Sequence, residues 1–360
     1  MKQTLAFLSG LLLILVVGLV YGIAFQKNGV TVSRLSPKDL VQLPVAQQAE
    51  QRTWRAVAFS DPLTLGQEGK RLIRPLLIRY DSEGNVYVAD YGDMKIKKFA
   101  RDGAFMNTYG QKVGNDPGDI INMTDYVVRD NGDVWVCDPP NDRITIFNNE
   151  GVVKHVVRPE KEPYRIRLTR DSTLIVRDSY PDDSSFFSVY RPDGQTAHRF
   201  GRLLYNQADN LLYLDGVMLA DAGTIIYALT YVGILAAYTL DGKQQFLVKT
   251  IDDVGFPELI ENANGRKWID RQAPVATVSM MKLEDKVYVF KVLYEAERRR
   301  TVLDVYDSTN GQYRYSLDVT EAAHDAVHLT VSPDHLYVVK DSAVVRWGWQ
   351  EKSEDLAASS

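Results

Sequence analysis

DSEGNVYVADYGDMKIKKFARDG, residues Asp81 to Gly103, decides the fold. It reads as a turn, a strand from Asn85 to Ala89, a tight connection, a second strand from Lys95 to Phe99 and an Asp-Gly turn. Short β-rich runs are bounded on each side by Gly, Asp and Asn, residues that close turns. The next copy, DNGDVWVCDPPNDRITIFNNEG, runs from Asp130 to Gly151 and puts Val134-Trp135-Val136 where Val86-Tyr87-Val88 stood. Later copies degrade but keep the frame: DSTLIVRD with FFSVYRPDG, GTIIYALT with ILAAYTLDG, DKVYVFKV with TVLDVYDSTNG, and HLYVVKD with AVVRWGW. First-strand starts at Asn85, Asp133, Thr173, Thr224, Lys286 and His335 lie about 50 residues apart, the period of a propeller blade.

The blade pattern is a Gly followed by Asn-Val-Tyr-Val-Ala-Asp, a polar gap, a basic-apolar strand ending in Phe, and an Asp-Gly turn. It resembles the NHL-repeat six-bladed β-propellers from roughly Leu72 to Glu351, best in the first two blades. The resemblance implies the fold. It leaves activity open, since such propellers include binding scaffolds, lyases and hydrolases.

The expected architecture is an all-β, six-bladed propeller behind an N-terminal transmembrane helix. Residues 1–3 are a short flank. Thr4 to Phe25 carries no charge and exceeds the roughly 20 residues that cross a bilayer core. A cleaved signal peptide, ending at Gly22-Ile23-Ala24, is the alternative, and length favours retention. Residues 26–50, with Ser36-Pro37, Leu43-Pro44 and AQQAEQ, read as a stalk. Residues 51–351 form the propeller and 352–360 a frayed tail. The sixth repeat runs out after its third strand, and the run RTWRAVAF stands alone before the first blade. Thr53 to Phe59, within 51–60, is therefore expected to supply the missing outer strand and close the ring. A second long connection, Asp252 to Pro274, is too apolar for a spacer and reads as a short helix and turn forming a wall or lid.

The chain has 360 residues, 45% hydrophobic and 25% charged, with net charge −5 and pI about 5.7. No basic footprint for nucleic acid is present. The single cysteine, Cys137, falls within a strand and reads as a small buried thiol. Nucleophile elbow, phosphate loop, zinc-protease helix and dinucleotide fingerprint are all absent from the sequence. Of five histidines, His155 and His198 fall on outer strands and His335 opens a second strand. His324 and His328 alone could approach the axis, but in an extended strand they sit about 13 Å apart and cannot chelate one ion.

Carboxylates and arginines are the better candidates. Asp90, Asp138 and Asp178 end three successive second strands, and their place in the repeat points to backbone hydrogen bonding. Asp125 and Asp215 stand outside the repeat and precede inner strands, so they are candidate ligand or calcium residues. Such an ion would follow from the resemblance to propeller lactonases, which hold calcium in the channel with Asp, Asn and Glu. Arg74, Arg165 and the run Arg298-Arg299-Arg300 are expected on the same face, where a guanidinium can fork onto a carboxylate or phosphate. Tyr91, Tyr164, Tyr180 and Tyr231 line the same rim, and Trp268 belongs to the Asp252 to Pro274 insertion. Tyr and Arg are the types enriched in binding hot spots.

The functional expectation is a membrane-anchored, single-pass, extracytoplasmic scaffold, periplasmic or extracellular. Its monomeric propeller would bind a protein, peptide or saccharide through Arg74, Asp125, Tyr164, Arg165, Asp215, Trp268 and Arg298. It would use no cofactor. The alternative is a calcium-dependent hydrolase of lactonase or esterase type, or a lyase, with the metal in the central channel.

Overall fold

The structure is a computed structural model, and it describes residues 31–66, 72–191, 194–221, 223–295 and 298–352. The expected membrane span, Thr4 to Phe25, lies outside the described residues, as does nearly all of the tail. Among the described residues no helix is long and apolar enough to cross a membrane.

Two compact units are present. The larger comprises Pro37–Gly255 and Val275–Ser360. Its described residues form six antiparallel sheets, each entered through its inner strand. The inner strands are Pro75–Tyr80, Asp125–Val128, Pro163–Leu168, Gly216–Asp221, Ser279–Leu283 and His328–Val331. They touch one another in cyclic order, the last packing against the first. This is the arrangement of a β-propeller.

Second and third strands are buried on both faces in most sheets, as in Val86–Asp90 and Arg143–Phe147. Their side chains alternate between the two neighbouring sheets, so the core lies between sheets. Tyr87, Ile96 and Tyr109 of the first sheet pack on Met123, Tyr126 and Phe147 of the second. Val86 and Val88 close the ring against Tyr337 and Val344 of the sixth. Each such side chain contributes roughly 1.5–3 kcal/mol by leaving water. The Tyr126 hydroxyl donates to the Tyr87 carbonyl at 2.7 Å, so even a polar tip is satisfied across the seam.

The repeated Gly turns join third to outer strands, as their sequence required. Gly103 and Gly151 have φ of 90° and 80°, in the left-handed region that a Cβ disfavours. At Gly151 a Cβ would also lie 2.5 Å from the Thr108 carbonyl oxygen.

Three expectations are corrected. The outer strand of the sixth sheet is Val57–Thr64, pairing with Val344–Glu351, while Trp54–Arg55 instead adds a parallel strand to the fifth sheet. The ladder accommodates Asp61 and Pro62 at a register shift on a sheet edge, where proline's missing N–H is harmless. Secondly, the part of the supposed stalk from Pro37 onward is a strap. Val41 N–H donates to the Leu203 carbonyl, and Val45 bridges Val248 through backbone bonds to Leu247 and Lys249. Gln47 bonds Lys249, Gly311 and Tyr313. Open strand edges supply the unpaired donors and acceptors that draw this polar segment down. Arg52 then forks onto Asp304 at 3.1 and 3.0 Å and reaches Asp252. Thirdly, Arg298-Arg299-Arg300 is not a connection. It opens the strand Arg298–Asp307, paired in full with Lys286–Glu295.

The smaller unit comprises Met1–Ser36 and Phe256–Pro274. Its described part is a three-stranded sheet of Thr31–Ser33, Leu259–Glu261 and Lys267–Ile269, not the expected helix. Asn262 explains the difference: its side chain accepts from the N–H groups of Asn264 and Arg266. With Gly265 at φ 75°, this makes a hairpin turn in the middle of the segment.

Candidate functional site

Register places the axial residues in layers. Leu77 pairs with Ala89, Asp125 with Cys137, Arg165 with Arg177, Val217 with Ala228, Ser279 with Phe290 and His328 with Val339. All six line one cavity and form a ring around the axis, near the upper end, where the inner strands begin. Two residues further along, Arg79 and Arg167 belong to the next ring down. A cavity of about 50 Å³ is lined by Leu77, Arg79, Asp125, Arg165, Arg167 and His328 together with Ser279 and apolar side chains.

Asp125 is the hub. It is 1% exposed, and its Oδ1 accepts from Arg79 at 3.1 Å and from the Tyr126 N–H at 2.9 Å. Its Oδ2 accepts from Arg167 at 2.6 Å and from the Ile166 N–H at 3.1 Å. Burial alone would raise its pKa, but Arg167, Arg79 and Arg165 outweigh that and hold it below the usual carboxylate range.

Arg165 sits above. It donates to the Thr124 carbonyl at 2.6 Å, lies 3.5 Å from Asp215 and stacks on Tyr164 with its guanidinium 4.8 Å from the ring centre. The buried Arg177 covers Tyr164 as well, at 4.9 Å. One ring thus carries two guanidiniums, a favourable cation–π arrangement where water is scarce. The four arginines 79, 165, 167 and 177 outnumber the two carboxylates, so this stretch of the axis is electropositive. Two groups register that field. The His328 imidazole is pushed down to about 3, by burial and then by Arg79 and Arg165 against the pull of Asp125. The Arg167 guanidinium falls to about 10, through burial and repulsion by Arg79 and Arg165 opposed by Asp125.

Of the candidates from sequence, Asp125, Tyr164, Arg165 and Asp215 come together. Arg74 is exposed, its guanidinium 6.0 Å from the Tyr91 ring, and Tyr91 in turn feels Arg165 and Asp125. Trp268 lies on the hairpin of the smaller unit. Arg298 pairs through its backbone with Glu295. Its neighbours Arg299 and Arg300 turn to the Ala326 carbonyl and the Trp54 ring.

Sequence reasoning missed Arg79, Arg167 and Arg177. A signal for the first two was present: Ile78-Arg79 and Ile166-Arg167 repeat an arginine inside an inner strand, where alternate residues must face the axis. The second-strand aspartates are structural, as their repeat implied. Asp90 accepts from the N–H groups of Ile73, Arg74 and Gly92 and from buried Lys97 at 2.6 Å. Asp138 does the same with Ile121, Asn122 and Asn141. Asp178 is the exception: it keeps only Ser188 at 2.8 Å, one oxygen has no partner, and burial pushes it up to about 6.

The residues do not fit calcium. The ion wants six to eight oxygens, whereas both oxygens of Asp125 are taken by guanidinium and backbone donors and Asp215 faces Arg165. Among the described residues no group of three potential metal-ligating His, Cys, Asp or Glu side chains converges. Cys137 is buried and its thiol is pushed up by burial, as a structural cysteine should be.

No protein-family model matches the chain, and no curated protein sequence matches it. Solved structures do resemble it. An exported-protein candidate from Bacteroides fragilis aligns at TM-score 0.56 and 10% identity, over 86% of this chain and 99% of that one. A member of the DUF4221 family from Bacteroides vulgatus aligns at 0.54 and 11%, over 82% and 99%. Virginiamycin B lyase from Staphylococcus aureus aligns at 0.47 and 10%, over 89% and 99%. At such identities the likeness is one of fold.

Proposed function

We propose that the chain is a six-bladed, NHL-like propeller that serves as a ligand- or protein-binding scaffold, using the upper end of its ring. Its N-terminal segment Thr4 to Phe25 anchors it and the propeller lies outside the cytoplasm, periplasmic or extracellular, as a monomer. The likeness to an exported-protein candidate supports that location.

One observation carries the binding reading. Arg165, Tyr164, Asp215, Tyr91 and Arg74 gather at one end of the ring, where the fold itself needs only the hydrogen bonds that Asp90 and Asp138 already supply. A scaffold would otherwise fill this end with apolar side chains, because guanidiniums are costly to desolvate. Polar side chains held ready by their neighbours are what a recognition surface requires. The partner expected from this chemistry is a protein or peptide with acidic groups.

The test is photo-crosslinking in the native membrane, with a photoreactive side chain at Tyr180, 65% exposed at the upper end, or at Val152, 61% exposed in a turn at the opposite end. A discrete adduct is expected from Tyr180 alone, and it should disappear in Arg165→Gln. No adduct, or equal adducts from both positions, would sink the proposal.

A further inference from the structure

Two side chains that line the axial cavity each carry a buried polar atom without a partner: Arg165 Nε and His328 Nδ1. His328 is 7% exposed and lies in the cavity lining, in the same ring as Asp125 and Arg165. A buried hydrogen-bonding group without a partner costs roughly 1–3 kcal/mol. Two around one small cavity, beside an excess of guanidinium charge, mark a place where something with oxygen atoms belongs.

The geometry points to a carboxylate-binding pocket on the propeller axis, in which Arg165, Arg167 and His328 grip the carboxylate group of the ligand and Asp215 competes for the outer face of Arg165. Three features select this class. The cavity of about 50 Å³ holds roughly three to five water-sized spheres at ~10–15 Å³ each, enough for a carboxylate but tight for a larger head group. Guanidinium forks match a planar carboxylate in bidentate fashion, and Arg165 has donors to spare: Nε is unpaired and Asp215 stands at 3.5 Å, beyond hydrogen-bond length. His328, neutral under the field of Arg79 and Arg165 against Asp125, offers a third donor when its proton sits on Nδ1. Asp125 is spoken for, holding Arg79 and Arg167 in place.

The inference rests on the reading of the upper end as a binding face, and deepens it by naming what the axis recognises. The experiment titrates the full-length protein with acetate, with acetamide as the uncharged isostere and with inorganic phosphate, following heat of binding and the His328 imidazole by NMR. At pH 7 acetate is expected to bind saturably in the millimolar range or tighter and to shift the His328 ring resonances, since its Nδ1–H gains an acceptor. Acetamide should do neither. Arg165→Gln should weaken acetate at least tenfold, and Asp215→Asn should tighten it. If Arg165→Gln fails to fold, Arg165→Lys keeps the charge but loses the fork, and a weakening there of several-fold is expected.

Absence of saturable acetate binding, an equal response to acetamide, or binding of phosphate in preference to acetate would overturn the carboxylate pocket. Crosslinking at Tyr180 that persists without acetate binding leaves the scaffold reading intact and removes only this inference. Acetate binding without any crosslinked partner does the reverse.

Discussion

Replacing Asp125 with asparagine removes the one carboxylate around which three guanidiniums are arranged. Asparagine keeps the volume and one acceptor oxygen, so the change isolates the charge. In the native protein the carboxylate is 1% exposed and takes two charge-assisted bonds, at 3.1 Å from Arg79 and 2.6 Å from Arg167. Breaking a buried pair by removing one partner costs about 3–5 kcal/mol, because the remaining charge stays desolvated. Arg79 and Arg165 retain 27% and 21% of their side-chain exposure, which lets water repay part of the loss. The lower end, about 3 kcal/mol, is therefore expected. The sign of the pH dependence follows from the depressed pKa of Asp125. A carboxyl whose folded pKa lies below its unfolded value of about 3.9 contributes stability above that value and loses it as pH falls through the folded pKa. The deficit of Asp125→Asn should hence be constant from pH 6 to 8 and shrink below about pH 4. Urea unfolding of both proteins across that range measures it, with Asp215→Asn as the control, expected to cost under about 1 kcal/mol as a half-exposed pair. A deficit at pH 7 below about 1 kcal/mol, or one that does not change with pH, would refute the account of Asp125 as the electrostatic hub.

Asp178→Asn should act in the opposite direction. With its folded pKa near 6, Asp178 favours the folded state below about pH 4 and loses that contribution as pH rises through 6. The variant should gain about 1–2 kcal/mol at pH 7 and nothing at pH 4, read by urea unfolding at the two pH values. Arg52→Ala leaves Asp304, 1% exposed, without its fork and should cost about 2–3 kcal/mol. Limited proteolysis should then cut the strap between 37 and 50 many times faster than in the native protein. Removal of divalent ions with a chelator should leave the melting temperature unchanged, since guanidiniums occupy the carboxylates a cation would need; a fall of several degrees, reversed by calcium, would restore the metal-dependent reading.

Much of the fold was legible because each repeat carries its own turn chemistry. Asn148, in the turn from third to outer strand, accepts from the Glu150 and Val152 N–H groups, and Gly151 takes a positive φ, all within a few residues. Local signals of that kind survive in one dimension. The strap did not, because a segment such as Leu43-Pro44 through Gln47 has no periodicity; it is held by strand edges about 200 residues away. The hairpin at Leu259–Glu261 and Lys267–Ile269 failed for a related reason, since short apolar runs fit a helix as well as a strand pair, and the Asn262 turn decides which.

The site divides along the same line. From the chain alone came the repeat, its period, the structural aspartates, and the suspicion that Asp125, Asp215, Tyr164 and Arg165 meet at one end. Which charges answer which was decided only by closure of the ring. Arg79, Asp125, Arg165 and His328 come from four different sheets, up to about 250 positions apart, and meet on the axis because strand register sets them in the same ring or the one next to it. Electrostatic energy depends on distance and on the water excluded between charges. Neither quantity exists until the last inner strand packs against the first.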